Sequence, residues 1–133
     1  MKKIALVSGA TAGIGKATAE ILAKNGYNVI ITGRRNERLQ ELKKEIESTT
    51  DSKVYTLNFD VRDNKQVCEA IDSLPAEWKN IDVLVNNAGL ASGLDPIQSG
   101  DIEDWEKMID TNVKGLLYLT RKVSPMMIER KSG

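Results

Sequence analysis

The sequence predicts a doubly wound parallel α/β sheet, and two observations carry the prediction. Residues 4–7, 29–31, 54–59 and 83–85 are short apolar or β-branched runs, each followed by a stretch long enough for a crossover helix. Parallel neighbours need such long, right-handed connections. The first and last runs, Ile4-Ala5-Leu6-Val7 and Val83-Leu84-Val85, are apolar without interruption. Burial on both faces requires that, so these two strands are expected side by side in the middle of the sheet, with helices covering both faces.

The elements follow in order. Residues 15–24 place Ala17, Ile21 and Leu22 on one face and stop at Asn25-Gly26, where glycine can take the left-handed conformation that closes a helix. Residues 37–48 set Leu39, Leu42 and Ile46 at helical spacing beneath a charged outer face, and a polar loop follows. Residues 63–74 form a third helix with Val67, Ala70, Ile71 and Leu74 inward, closed by Pro75; Cys68 lies beside that stripe as a packing residue. After the fourth strand, a loop at 88–100 rich in Gly, Ser and Pro leads into a long helix over about 101–130. The Asp101-x-x-Asp104 spacing resembles a capping box lacking its preferred Glu, and Pro125 is expected to kink the helix without ending it.

Composition removes several function classes. The 133 residues are 41% hydrophobic and 29% charged, as in an ordinary single domain, and 19 basic residues balance 19 acidic ones. A chain without net charge has no global field to draw it to nucleic acid or an anionic membrane, so neither is expected as a partner. No apolar run approaches the roughly 20 residues that span a bilayer, and no signal peptide is visible. Histidine is absent and Cys68 is the only cysteine, which leaves no Ser-His-Asp or Cys-His catalysis, no Cys/His zinc site and no internal disulfide. A cytoplasmic location is expected.

The chemistry gathers at the carboxyl ends of the strands. Directly after the first strand stands Ser8-Gly9-Ala10-Thr11-Ala12-Gly13-Ile14-Gly15. Glycine lets backbone approach a pyrophosphate closely, and the following helix N-terminus offers free N–H donors and a favourable dipole. Residues 9–14 (Gly9, Ala10, Thr11, Ala12, Gly13, Ile14) therefore read as a phosphate-binding loop of a Rossmann fold. The spacing is G-x-x-x-G-x-G rather than G-x-G-x-x-G, and no Gly-Lys-Ser/Thr marks a P-loop. The second strand ends in Arg34-Arg35, where an acid would bind the ribose hydroxyl of NAD and an arginine can clamp the 2′-phosphate of NADP; a solvated basic pair is the alternative. Glu37, nearby, is explained by the helix dipole. The third strand ends at Asp60-Val61 and the fourth at Asn86-Asn87-Ala88-Gly89. Asp60 is either a loop cap or an adenine contact, and the asparagines either stabilise a turn or orient the cofactor ribose.

Three motifs in order resemble the short-chain dehydrogenase/reductase family: the glycine loop, with Ser8 for the usual Thr; Asn86-Asn87-Ala88-Gly89; and Asn112-Val113-x-Gly115. The resemblance covers the whole chain, and Gly33-Arg34-Arg35-x-Glu37-Arg38-Leu39 and Leu74-Pro75-Ala76-Glu77-Trp78 are most similar to its NADP-dependent 3-hydroxy acid and serine dehydrogenase branch. It implies NADP as cofactor, with the pyrophosphate on residues 9–14, the 2′-phosphate on Arg34 and Arg35, adenine beside Asp60 and Val61, and the nicotinamide-side ribose near Asn87 in the Asn86–Gly89 turn (Asn86, Asn87, Ala88, Gly89). It also implies a catalytic, proton-relay role for Asn112, in a helix irregularity that holds a water.

The family's chemistry further uses a Ser on a fifth strand and a Tyr-x-x-x-Lys on the next helix. Tyr118-x-x-x-Lys122 fits that spacing but lies six residues after Asn112 without an intervening strand, and Tyr118 shares the apolar stripe of Ile109, Leu116 and Leu119. It is expected to be a packing residue. Residues 1–133 thus read as a dinucleotide-binding domain truncated before the fifth strand. Two functions stay open: the cofactor-binding half of an NADP-dependent oxidoreductase whose substrate is a small 3-hydroxy acid or similar alcohol or carbonyl, or a catalytically inactive nucleotide-binding or self-associating fragment. A homo-oligomer is expected, because the far edge of the fourth strand and part of the helix carrying Trp105, Ile109, Leu116 and Leu119 lack a cover.

Overall fold

The computed structural model describes residues 2–133. Strands β1 (Ile4–Val7), β2 (Asn28–Gly33), β3 (Val54–Asn58) and β4 (Ile81–Val85) form one parallel sheet in the order β3-β2-β1-β4. Helices α1 (Gly13–Lys24), α2 (Asn36–Thr49) and α3 (Asn64–Asp72) make the crossovers. The final helical rod consists of α4 (Ile102–Ile109), a π-helical stretch at Asp110–Gly115, and α5 (Leu116–Arg130).

The period of two in β1 divides the core. Ile4 and Leu6 join Ile30 and Leu57 on one face, against Val67 and Ile71 of α3 and Leu119 and Val123 of α5. Ala5 and Val7 point the other way with Val29 and Ile31, against Ala19 and Ala23 of α1 and Leu39, Leu42 and Ile46 of α2. Both faces are covered, as the uninterrupted apolar run of β1 requires.

The structure corrects three expectations. β4 does pair with β1, but it lies at the edge of the described sheet, and its last four residues are only partly buried. On α1 the buried positions are Gly15, Ala19 and Ala23, while Ile21 faces outward at 59% exposure and Ala17 is exposed. Small residues let the helix approach the sheet closely, so Ile21 marks the wrong face, while Leu22, as expected, is partly buried against the core. Of the helix residues expected to be partly uncovered, Ile109 and Leu116 are exposed, but Leu119 is buried in the core beside Val123 on the inner face of α5.

Asp63 caps α3 by accepting from Lys65 N and Gln66 N, and Asp101 caps α4 by accepting from Glu103 N. Asp104 does not reach back to complete a capping box. Its carboxylate accepts the Ser92 hydroxyl at 2.6 Å and ties down the loop before α4. Pro125 interrupts the hydrogen-bond ladder of α5 without ending the helix, which closes at Lys131 in the left-handed conformation. At the opposite end of the sheet from the glycine loop, Asp82 accepts from Ile4 N at 2.9 Å and pairs with Arg130, which also donates to Ile81 O at 3.0 Å. That latch fixes the end of α5 to the first residues of β1 and β4. Among the described residues, no helix is long and apolar enough to cross a membrane.

Candidate functional site

The carboxyl ends of all four strands open onto one cleft of about 320 Å³. Its wall is formed by Gly9, Thr11, Ala12 and Ile14 after β1, by Thr32–Arg35 at the end of β2, by Phe59–Val61 after β3 and by Asn87–Leu90 after β4, with Thr111 of the π-helical stretch closing one side. Open parallel sheets place ligands here because the strand ends and helix N-termini converge.

The helix ends differ in a way that bears on charge. α3 and α4 satisfy their first N–H groups with the carboxylates of Asp63 and Asp101, whereas α1 begins after Ala12 and α2 after Arg35, and neither has a side-chain cap. Both uncapped ends border the cleft. Their N–H groups and dipoles suit an anion; Arg35 precedes α2, whose first turn also carries Glu37.

The glycine loop has the shape this requires. Gly9 and Gly13 sit at φ +64° and +58°, where a β-carbon is disfavoured. A β-carbon on Gly9 would lie 2.9 Å from Ala88 Cα, and one on Gly15 would collide with the Gly9 carbonyl and the Asn87 amide. Nothing lies within 4 Å of the β-carbon position of Gly13, at the open lip of the helix. The loop is closed against β4 on one side and open toward the cleft on the other.

Ser8 and Asn87 hold this arrangement together. The buried Ser8 hydroxyl accepts from Asn87 N and Ala88 N, each at 3.0 Å, and donates to Val85 O at 3.3 Å. Asn87 Nδ2 donates to Ser8 O and Gly9 O, both at 3.1 Å. Asn87 N also reaches Val85 O, so Ser8→Ala strands chiefly the Ala88 N–H. The variant is expected to lose about 2 kcal/mol of stability in denaturant titration, while Ser8→Thr, which keeps the hydroxyl, retains most of it. A Ser8→Ala protein as stable as the parent would show that the hydroxyl holds nothing in place.

Arg34 and Arg35 are exposed at the mouth of the cleft. In the same lining Asp60 forms a fork with Arg62: Nε lies 3.1 Å from each carboxylate oxygen and Nη2 lies 2.7 Å from Oδ2. Burial works against ionisation of Asp60, but the hydrogen bonds and charge of Arg62, with a further contribution from Arg34, outweigh it and hold the carboxyl below its ordinary value.

The structure sorts the residues singled out in the sequence. Gly9, Thr11, Ala12, Ile14, Arg34, Arg35, Asp60, Val61, Asn87, Ala88 and Gly89 line the cleft. Gly13, exposed at the lip, and Ala10 do not: Ala10 is fully buried, and its N–H donates to Thr32 O at 3.0 Å, joining the loop to β2. Asn86 points elsewhere and donates to Thr120 of α5 at 2.9 Å. Asn112 commits both ends of its amide to one residue, donating to Leu90 O at 2.9 Å and accepting from Leu90 N at 2.8 Å, which fastens the loop after β4 to the π-helical stretch. Thr32, Gly33, Phe59, Leu90 and Thr111 also line the cleft and were not legible as site residues. Gly115, four residues after Thr111, has no β-carbon and so lets Val61 pack close, but nothing in the sequence marked Thr111 itself. Tyr118 packs against the core and Lys122 pairs with Asp72 of α3 at 2.7 Å. Neither borders the cleft, and among the described residues no tyrosine does.

A doubly wound parallel sheet with its cleft above β1 and β2 and a glycine turn opening α1 defines a Rossmann-type domain. The sequence profile of the short chain dehydrogenase family matches residues 3–133, and the chain belongs to that family. It is 55% identical over 130 residues to the NADP-dependent 3-hydroxy acid dehydrogenase YdfG of Salmonella typhi, covering 98% of this chain and 51% of that protein. The serine dehydrogenase of Escherichia coli superposes with a TM-score of 0.91 at 53% identity, over 98% of this chain and 58% of that one. A closed form of serine dehydrogenase complexed with NADP+ gives a TM-score of 0.92 at 53% identity, over 98% of this chain and 51% of that one. The chain spans about half the length of the curated relatives it matches.

Proposed function

We propose that the cleft binds NADP(H), and that the chain is the cofactor-binding part of an oxidoreductase acting on a small 3-hydroxy acid or a similar alcohol or carbonyl. The observation that carries the first half is the pairing of two uncapped helix N-termini with Arg34 and Arg35 around one cleft. The second half rests on similarity to dehydrogenases of that substrate class.

In this reading the pyrophosphate lies on the loop of residues 9–14, where Gly9 and Gly13 keep side chains out of its way and the first N–H groups of α1 meet its charge. Arg34 and Arg35 take the 2′-phosphate, each able to give a charge-assisted, bidentate contact. Adenine sits beside Asp60 and Val61. Asn87, already fixed by Ser8 O and Gly9 O, holds the wall beside the nicotinamide-side ribose. When bound, the nicotinamide supplies the hydride acceptor or donor. Asn112 acts as a positioning residue through its grip on Leu90.

Thermal unfolding with added nucleotide tests the reading. A ligand at about 100 times its dissociation constant stabilises the folded state by roughly 2.7 kcal/mol, so NADP+ is expected to raise the melting temperature by several degrees. NAD+ at the same concentration should raise it less. A melting curve that neither dinucleotide moves would overturn the assignment.

A further inference from the structure

Among the described residues that line the cleft, Asp60 is the only acid; it shares the lining with Arg34 and Arg35 and feels the charge of Arg34. A carboxylate at that place is a liability for a site that must admit a phosphate carrying close to two negative charges. It would repel the phosphate and compete with it for Arg34, whose charge it already feels. The structure places the remedy behind the cleft: Arg62 does not line it, yet its guanidinium covers both oxygens of Asp60 at 3.1, 3.1 and 2.7 Å.

The fork is not alone in holding Asp60 in position. The backbone N–H of Arg62 donates to Asp60 Oδ1 at 3.0 Å, and the N–H of Asp60 itself donates to Gln66 Oε1 at 3.0 Å. Both bonds survive when the Arg62 side chain is shortened or neutralised. The guanidinium is therefore left with an electrostatic task. Asp110, whose charge Arg62 also feels, has its own partner in Lys114 at 3.1 Å and does not draw Arg62 away.

We propose that Arg62 is a specificity-determining positioning residue: by neutralising Asp60 it keeps the cleft selective for an adenine ribose that carries a 2′-phosphate. The inference rests on the NADP(H) reading above and adds a residue that need not touch the cofactor. With Arg62 present, Arg34, Arg35, Arg62 and Asp60 supply three positive charges against one negative. Without it the balance is two against one, and the uncompensated charge is the one nearest Arg34. A unit charge within several ångströms of a dianion at a protein surface changes affinity on the order of tenfold.

The test is calorimetric titration of the full chain with NADPH and NADH, read as the ratio of the two dissociation constants, because an adenine contact is common to both ligands. Arg62→Gln is expected to weaken NADPH by about tenfold while leaving NADH within about threefold, and that loss should shrink at high salt. Arg62→Lys, which keeps the charge, should hold the ratio near the parent value. The double variant Asp60→Asn/Arg62→Gln should restore it, since no carboxylate remains to be neutralised. Asp60→Asn alone should raise the preference for NADPH, which keeps the proposal testable if Arg62→Gln does not fold. Equal weakening of both dinucleotides by Arg62→Gln, or a double variant that restores nothing, would assign Arg62 a merely structural role and overturn the inference. A parent chain that binds both dinucleotides equally would instead remove the NADP(H) reading on which it rests.

Discussion

Replacing Arg34 and Arg35 together with alanine is expected to lower the affinity for NADPH by about 100-fold or more and to leave NADH within about threefold. Each charge-assisted contact to a phosphate contributes roughly 1.5 to 3 kcal/mol, and the two side chains are the only cations lining the described cleft. The fold should not suffer. Both residues are exposed, and Arg35, the residue before α2, makes no side-chain capping bond that alanine would remove. Stability is expected to stay within about 0.5 kcal/mol of the parent, as for other surface substitutions. Loss of affinity therefore reports on the phosphate alone. A double variant that keeps its NADPH preference would place the 2′-phosphate somewhere else.

A single methyl group on Gly15 is expected to abolish measurable dinucleotide binding. Its β-carbon would fall on the Gly9 carbonyl and the Asn87 amide, and neither can step aside. The carbonyl is backbone of the phosphate loop, and Asn87 Nδ2 is held by Ser8 O and Gly9 O. Gly15→Ala must push α1 off the sheet or break those bonds, at a cost of about 3 kcal/mol, in the range of overpacked cores and stranded donors. Gly26→Ala provides the contrast. Gly26, unlike Gly15, has a positive φ, +88°, but it has nothing within 4 Å of its β-carbon position and lies at the far end of α1. It should lose about 1 kcal/mol of stability through backbone strain and keep its affinity for NADPH. Equal binding losses in the two variants would mean that general destabilisation, not loop geometry, is being measured.

The sequence made the sheet legible where burial and side-chain size agree. β1 is apolar throughout and central; Leu39, Leu42 and Ile46 of α2 and Val67, Ile71 and Leu74 after β3 recur at helical spacing and are buried. It misled where they disagree. The inner face of α1 is Gly15, Ala19 and Ala23, which carry little hydrophobic signal, while the exposed Ile21 carries much. The π-helical stretch has no spacing of its own to announce it; periodicity showed one long helix, and only the family resemblance pointed to an irregularity at Asn112, which falls inside Asp110–Gly115. The cleft was readable through motifs with a backbone reason, above all the glycine turn and the strand-end arginines. Asn86 and Asn87 illustrate the limit. The two are adjacent and chemically identical, yet one turns to Thr120 and the other into the phosphate loop, because neighbouring residues leaving a strand face opposite ways. Ala10 fell inside the motif but beneath the loop, and Thr111 and Leu90 reached the cleft only through tertiary packing.

The account turns on whether this cleft prefers an adenine ribose bearing a phosphate. The direct measurement is the ratio of the NADH to NADPH dissociation constants for the unaltered chain, by calorimetry at a single ionic strength near 0.1 M, since charge contacts are salt-dependent. The predicted ratio is at least about tenfold in favour of NADPH, the equivalent of one charge-assisted contact. A ratio of about one, with both dinucleotides bound, would contradict it.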